Sequence, residues 1–295
     1  MSRNIFLFII VCAIVSCMSS CDKNVHEKEL RGVSVYLTFD DELDASQTKV
    51  KSGCLWIYKA DGGLVKEYSY KETKELASQR FDLSAGTYFF VSAVNLNSQL
   101  TYKNQDRMET LVFYTPTSDL LLEQAFYTTV QVEVGENEYR LVALPMKRVL
   151  SELTIKIEGA PSGTRLNAKV YESAEGVLPA CKDDEGKFGQ PAAEVIPEVT
   201  LPESLEKNGA IAVESVRLMP TAQGKTYSKL GLFLTVADGS TFVCDVEAPR
   251  MKSAGKYELT LAYKDLKPYL HVSAVKITDW KYGWTIDGEI LNPNN

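Results

Sequence analysis

Apolar and polar positions alternate in short runs along most of the chain. In Gly32–Phe39 (GVSVYLTF), Val33, Val35, Leu37 and Phe39 fall on one side, the period of two expected of a half-buried strand. Cys54–Tyr58 (CLWIY) is apolar on both faces, and Ala60-Asp61-Gly62-Gly63 then separates it from Leu64–Tyr68. Asp-Gly tolerates positive φ, so this pair predicts a hairpin. Phe81–Val94 carries the strongest strand signal in the chain. Ser118–Phe126 (SDLLLEQAF) predicts one short helix capped by Ser118. Tyr127–Val134 and Glu138–Leu144 predict a second hairpin across Gly135-Glu136-Asn137.

The second half repeats this grammar. Val149–Ile157 and Leu166–Tyr171 are strand-like, and Glu172–Pro202, rich in Gly, Pro and charge, is expected to be a loop. Leu230–Val236 pairs with Thr241–Val246 across Asp238-Gly239; Tyr257–Tyr263 alternates and Val272–Trp280 closes the series. Short strands with turn signals and little helical periodicity predict an all-β protein of sandwiches. A seam at Met146-Lys147-Arg148 divides it into two tandem β-sandwich domains, 32–147 and 148–295, with one long domain as the alternative.

The N-terminus follows another pattern. Arg3 precedes an apolar run, Ile5–Val15, that is shorter than the roughly 20 residues a membrane-spanning helix needs. A basic start, a short apolar run and a small-residue exit describe a secretory signal. Cys17 and Cys21 stand directly after small residues, as in bacterial lipoprotein signals. There the cysteine is diacylated, the chain is cut before it, and the new amine takes a further acyl chain such as palmitate. Ile14-Val15-Ser16-Cys17 fits better at the third position before cysteine. Met18-Ser19-Ser20-Cys21 gives a more usual signal length and leads into the polar stretch Asp22–Arg31. Cys21 is the preferred lipid site, with Cys17 as the alternative, making 1–20 a signal peptide and 21–31 a tether. An ordinary cleaved signal with both cysteines incidental is the plainer reading.

Charge and chemistry narrow the function. A net charge of -7 gives no general attraction to nucleic acid or anionic lipid. Cys54, Cys181 and Cys244 remain in the body, an odd count that leaves at least one thiol unpaired. They read as three buried small hydrophobes or as one Cys181–Cys244 disulfide and a free thiol. Of the two histidines, His26 lies in the tether and His271 beside a predicted strand. No HExxH, CxxC, phosphate-cradling glycine loop or Gly-x-Ser-x-Gly elbow is present. Asp40-Asp41-Glu42-Asp44 and Asp183-Asp184-Glu185 lack the alternate spacing of a calcium loop and read as solvated turns. The expectation is a non-enzyme without cofactor or metal. Trp56 reads as core, whereas Trp284, in a polar tail, suits core or a sugar-stacking surface equally.

The order of these elements resembles the fimbrial anchor family of Bacteroides-type bacteria (FimB-like), relatives of the fimbrillins. The similarity rests on Gly32-Val33-Ser34-Val35-Tyr36 after the lipid cysteine and tether, and on the hairpin Leu55–Val65. It rests also on Leu83-Ser84-Ala85-Gly86-Thr87-Tyr88 with Val91 and Asn95-Leu96, on Arg148 before a strand ending Ile157-Glu158-Gly159, and on the closing Ile277-Thr278-Asp279-Trp280. The family tether often carries a second cysteine before the first strand, which this chain lacks; the spacing from Cys21 to Gly32 matches.

The resemblance implies two transthyretin-like sandwiches in an outer-membrane lipoprotein, lipid-anchored at the cell surface at the base of a fimbria or as a minor fimbrial subunit. Its partners would be fimbrial subunits, met through strand exchange, and the membrane. In fimbrillins a protease cuts after an arginine to release one strand, opening a groove for the next subunit. Here Arg31 precedes the first strand and the next arginine is Arg80, so neither is placed to release one strand alone. The chain is therefore expected to keep its first strand and lipid and to donate a C-terminal segment. Val272, Val275, Ile277, Trp280, Trp284 and Ile286 are that segment's apolar positions. The alternative is a surface lipoprotein that binds glycan or host protein through a sandwich face.

Overall fold

The structure, a computed structural model, describes residues 31–39, 49–116 and 122–266, and the backbone of two further strands at 275–279 and 282–286. The first half contains β1 (Gly32–Phe39), β2 (Gly53–Lys59), β3 (Leu64–Tyr70), a short helix α1 (Thr73–Ser78), β4 (Arg80–Phe81), β5 (Gly86–Val94), β6 (Thr101–Lys103), β7 (Val112–Tyr114), β8 (Phe126–Val134) and β9 (Tyr139–Arg148). The second contains β10 (Ser151–Glu158), β11 (Arg165–Tyr171), β12 (Ser173–Ala174), β13 (Gly176–Lys182), β14 (Phe188–Pro191), β15 (Val195–Ile196), β16 (Val199–Thr200) and β17 (Ser204–Leu205). The long strands β18 (Ala210–Leu218), β19 (Tyr227–Thr235), β20 (Thr241–Pro249) and β21 (Lys256–Ala262) follow, then β22 (Val275–Asp279) and β23 (Tyr282–Ile286).

Seven strands of the first half run in the order β3-β2-β5-β8-β9-β1-β4. β8 and β9 pair only at Phe126–Arg148 and Tyr127–Lys147. The sheet turns a corner there, and its two parts face each other across a core of Val33 and Val35, Leu55 and Ile57, Phe90, Phe126, Val132, Leu144 and Met146. The expected hairpin across Gly135-Glu136-Asn137 is therefore splayed, because its arms belong to opposite layers of one sandwich.

The second half repeats the plan. β18-β10-β21 faces β16-β11-β19-β20 across Leu153, Ile155, Ile157, Leu166, Val170, Leu230, Leu232, Val246, Leu259 and Leu261. In both halves the first strand pairs parallel with the seventh strand of the sandwich, β1 with β9 and β10 with β21. In both it also pairs antiparallel on its other side, with β4 or β18. The Asp-Gly turns close β2–β3 and β19–β20, with Gly62 and Gly239 at positive φ.

A four-stranded sheet, β14-β13-β7-β6, draws strands from both halves: Gly176 and Val177 of β13 pair with Tyr114 and Phe113 of β7. It covers the outer face of β2 and β5 and closes a third core of Cys54, Trp56, Tyr58, Val91, Phe113, Tyr127, Val149, Leu150, Val177 and Met219. This is why Cys54–Tyr58 is apolar throughout: Leu55 and Ile57 enter the sandwich, while Cys54, Trp56 and Tyr58 enter the junction. Trp56 is fully buried, as expected of a core residue.

Two expectations are corrected. Residues 122–125 form no helix, and Phe126 already begins β8. Burial of Leu122, Ala125 and Phe126, with the Ala125 carbonyl accepting from the Val149 N–H, outweighs a local helix. Residues 117–121, including Ser118, lie outside the described residues. Glu172–Pro202 is not a plain loop. It holds β12 to β16, short strands whose pairing depends on partners distant in sequence.

Candidate assembly interface

The segment expected to donate a strand forms a hairpin on the edge of the second sandwich. β22 adds antiparallel to β21, setting Ile277 opposite Leu259 and Asp279 opposite Tyr257. β23 adds to β22, setting Trp284 opposite Ile277 and Ile286 opposite Val275. Four of the expected positions, Val275, Ile277, Trp284 and Ile286, thus stand at matching register positions of one hairpin; Val272 and Trp280 lie outside the described residues. Cys21, Cys17, His26, His271 and the Asp40–Asp44 cluster lie outside them as well.

The two sandwiches differ at this edge. β9 is the counterpart of β21, since each pairs parallel with the first strand of its half. Beyond its corner contact with β8, however, no strand among the described residues pairs with the far edge of Tyr139–Met146. The seven-strand plan therefore closes without a counterpart of β22. The C-terminal hairpin is an addition to this seven-strand plan, joined to it by strand pairing along the β21 edge.

The junction holds the polar chemistry. Beside Tyr127 and Lys147 lies a cleft of about 260 Å³ lined by the 183–189 turn and the 250–253 loop. Asp184 pairs with Arg250, and Glu185 pairs with Lys252 and Lys187. The Asp183–Glu185 cluster is thus a turn held by cations. These partners hold the Asp184 carboxyl below its ordinary range and Glu185 down to about 2. The Lys147 ammonium donates to the Phe188 carbonyl and sits 4.8 Å from the centre of the Tyr127 ring. Burial lowers its pKa. Sequence reasoning missed this site because Lys147, Phe188 and Arg250 come from three distant stretches.

The three described cysteines are free, with Cys54 and Cys244 buried and Cys181 half-buried, so the Cys181–Cys244 pairing is not formed. Burial pushes the Cys54 thiol up to about 12 and raises Cys244 and Cys181 as well. The Cys244 thiol donates to the Leu266 carbonyl at 2.7 Å. Among the described residues no group of His, Cys, Asp or Glu is placed to hold a metal, and no helix is long and apolar enough to cross a membrane.

Comparison with known proteins places this geometry. The model of the family of fimbrillin-A associated anchor proteins Mfa1 and Mfa2 matches residues 18–283. Among solved structures, the fimbrial anchor protein Mfa2 of Porphyromonas gingivalis aligns at a TM-score of 0.53 and 12% identity, covering 87% of this chain and 99% of that one. A fimbrial assembly protein of Parabacteroides distasonis aligns at 0.51 and 10%, covering 86% and 97%. A candidate adhesin of Bacteroides ovatus aligns at 0.52 and 12%, covering 92% and 98%. At such identities the likeness is one of fold. A comparison with curated protein sequences gave no significant match.

Proposed function

The chain belongs to the family of fimbrillin-A associated anchor proteins, and on that premise we propose that it is an outer-membrane lipoprotein that anchors a fimbria, or joins it as a minor subunit, by donating its C-terminal strand. Cys21, or Cys17 in its place, carries the acyl chains. Two or three chains hold a protein stably where one holds marginally, each buried methylene contributing about 0.8 kcal/mol. The body then stands outside the bilayer on the tether 21–31. No arginine is placed to release the first strand alone: Arg31 precedes β1 and Arg80 begins β4.

One observation carries this reading. β22 and β23 are surplus to a seven-strand plan that the first half completes without them. A strand added at a sheet edge can exchange that edge for an equivalent one on a fimbrial subunit, new backbone hydrogen bonds replacing the old. Its register positions Val275 and Ile277 alternate with polar ones, the pattern that edge addition reads for specificity.

The test is recovery of fimbrial subunits with the lipidated chain from its own membranes, with and without residues 267–295. Recovery with the full chain alone, the shorter chain still giving a cooperative melt, is the expected result. Equal recovery with both chains, or no fimbrial subunit from fimbriated cells, would overturn the reading.

A further inference from the structure

The outer face of β1, β9 and β4 differs from the rest of the surface. Residues paired across β1 and β9 share a face, so Gly32 and Tyr139, Ser34 and Leu141, Tyr36 and Ala143, and Thr38 and Pro145 form its rows. Tyr36 is 40% exposed, Tyr139 39% and Leu141 59%. Arg80 of β4 pairs with Ser34, and its guanidinium lies 5.4 Å from the centre of the Tyr139 ring. In a chain of net charge -7, these rows contain no carboxylate. The corresponding face of the second half is built from Glu152, Lys156, Glu158, Lys256 and Glu258. The two faces share a backbone plan, so the difference lies in the side chains.

We propose that this face rests on the lipid bilayer to which the tether binds the protein. The inference deepens the lipoprotein reading and rests on it. The face begins at Gly32, one residue beyond the tether. Ten residues, 22–31, reach at most about 35 Å when extended, so the start of this face is held within that distance of the bilayer. Tyrosine is at home at the membrane interface, with its ring among the upper acyl carbons and its hydroxyl in water. Leu141 supplies apolar depth and Arg80 suits lipid phosphate, while Arg31, at the Gly32 end, shares its pocket with Asp82, Glu136 and Glu138. Each contact is weak alone, but the tether turns it into an intramolecular event at high effective concentration.

The test uses Leu141→Trp and, as its counterpart on an exposed position of β20, Val243→Trp. Vesicles of phosphatidylethanolamine and phosphatidylglycerol carry bromine high on the acyl chains. Each variant is attached in two ways: by native lipidation, and as residues 22–295 with an N-terminal histidine tag on a nickel-chelating lipid. Bromine is expected to remove about half of the added emission for Leu141→Trp and almost none for Val243→Trp, a depth contrast set by interfacial burial. Adding Tyr36→Ser and Tyr139→Ser should restore the emission. Equal, weak quenching of both variants on the nickel-bearing vesicles would overturn the proposal. So would a Leu141→Trp emission that ignores lipid and shifts only when a fimbrial subunit is added, which would make the face a protein contact. Quenching on the nickel-bearing vesicles alone, with the native chain failing to float with its vesicles, would sink the lipidation reading and uphold the face.

Discussion

The two halves run the same strand plan and finish it differently. In the first, β9 keeps an open edge among the described residues, and the paired rows of the face beside it hold tyrosines, Leu141 and Arg80 but no carboxylate. In the second, β21 is covered by the C-terminal hairpin, and the equivalent face is charged. A fold that closes with seven strands in one copy does not need nine in the other. The extra pair is better understood as something the sandwich carries than as something it needs. The difference in side chains points the same way: the half nearest the tether is dressed for contact, and the other for water.

The comparison holds only if the halves act as one body, which the junction core decides. The largest effect is expected from Trp56→Ala. The indole is fully buried and its N–H finds no hydrogen-bond partner among the described residues, whose contribution to it is packing. Loss of that packing should lower unfolding free energy by about 3–5 kcal/mol in urea titration. Because Trp56 lies in the core that both halves share, both should be destabilised together.

A smaller but more specific effect is expected from Gly189→Ala. Gly189 has φ +106°, and a Cβ there would overlap the Tyr127 hydroxyl. Strain of about 1–3 kcal/mol should pry β14 from β8 and split a single calorimetric transition into two.

Lys147 gives a pH signature of the same contact. Burial lowers its folded pKa below the ordinary 10.5. Between the folded and unfolded values the unfolded chain holds more protons at this site, so the contribution of Lys147 itself rises with pH across that window and is flat below it, while the raised Cys54 thiol acts in the opposite sense. Lys147→Met should therefore make stability fall more steeply with pH across that window than in the unmodified chain, as read from chemical unfolding at a series of alkaline pH values.

The smallest effect is expected at the Asp184–Arg250 and Glu185–Lys252 pairs, which are solvent-exposed. Glu185 is held down to about 2, below its unfolded value. Its contribution is therefore full above the unfolded pKa and lost as pH falls towards about 2. Glu185→Gln should remove that acid-side loss, and salt should shrink it.

Much of this architecture is legible in the residues. Asp61-Gly62 and Asp238-Gly239 mark real hairpins because positive φ is a local requirement. The doubly apolar Cys54–Tyr58 announces a strand covered on both faces. What local pattern cannot show is pairing between distant stretches. The parallel union of β1 with β9 leaves no mark in either strand, and the hairpin expected at Gly135-Glu136-Asn137 opens because each arm finds a better partner elsewhere. Within Glu172–Pro202, β13 is a strand chiefly because β7 and β14 lie beside it. At the candidate interface, the alternation of Val275 and Ile277 was readable, but the surplus status of their hairpin emerges only when the two sheets are laid side by side.

The most direct test of that status is the unfolding of the chain without residues 267–295, measured by calorimetry beside the full chain. If the hairpin is carried rather than needed, the shorter chain melts in a cooperative transition within a few degrees of the full one. A shorter chain that lacks a cooperative transition, or whose second half is molten while the first stays folded, would contradict it: β22 and β23 would then be structural strands of the second sandwich and could not be given away.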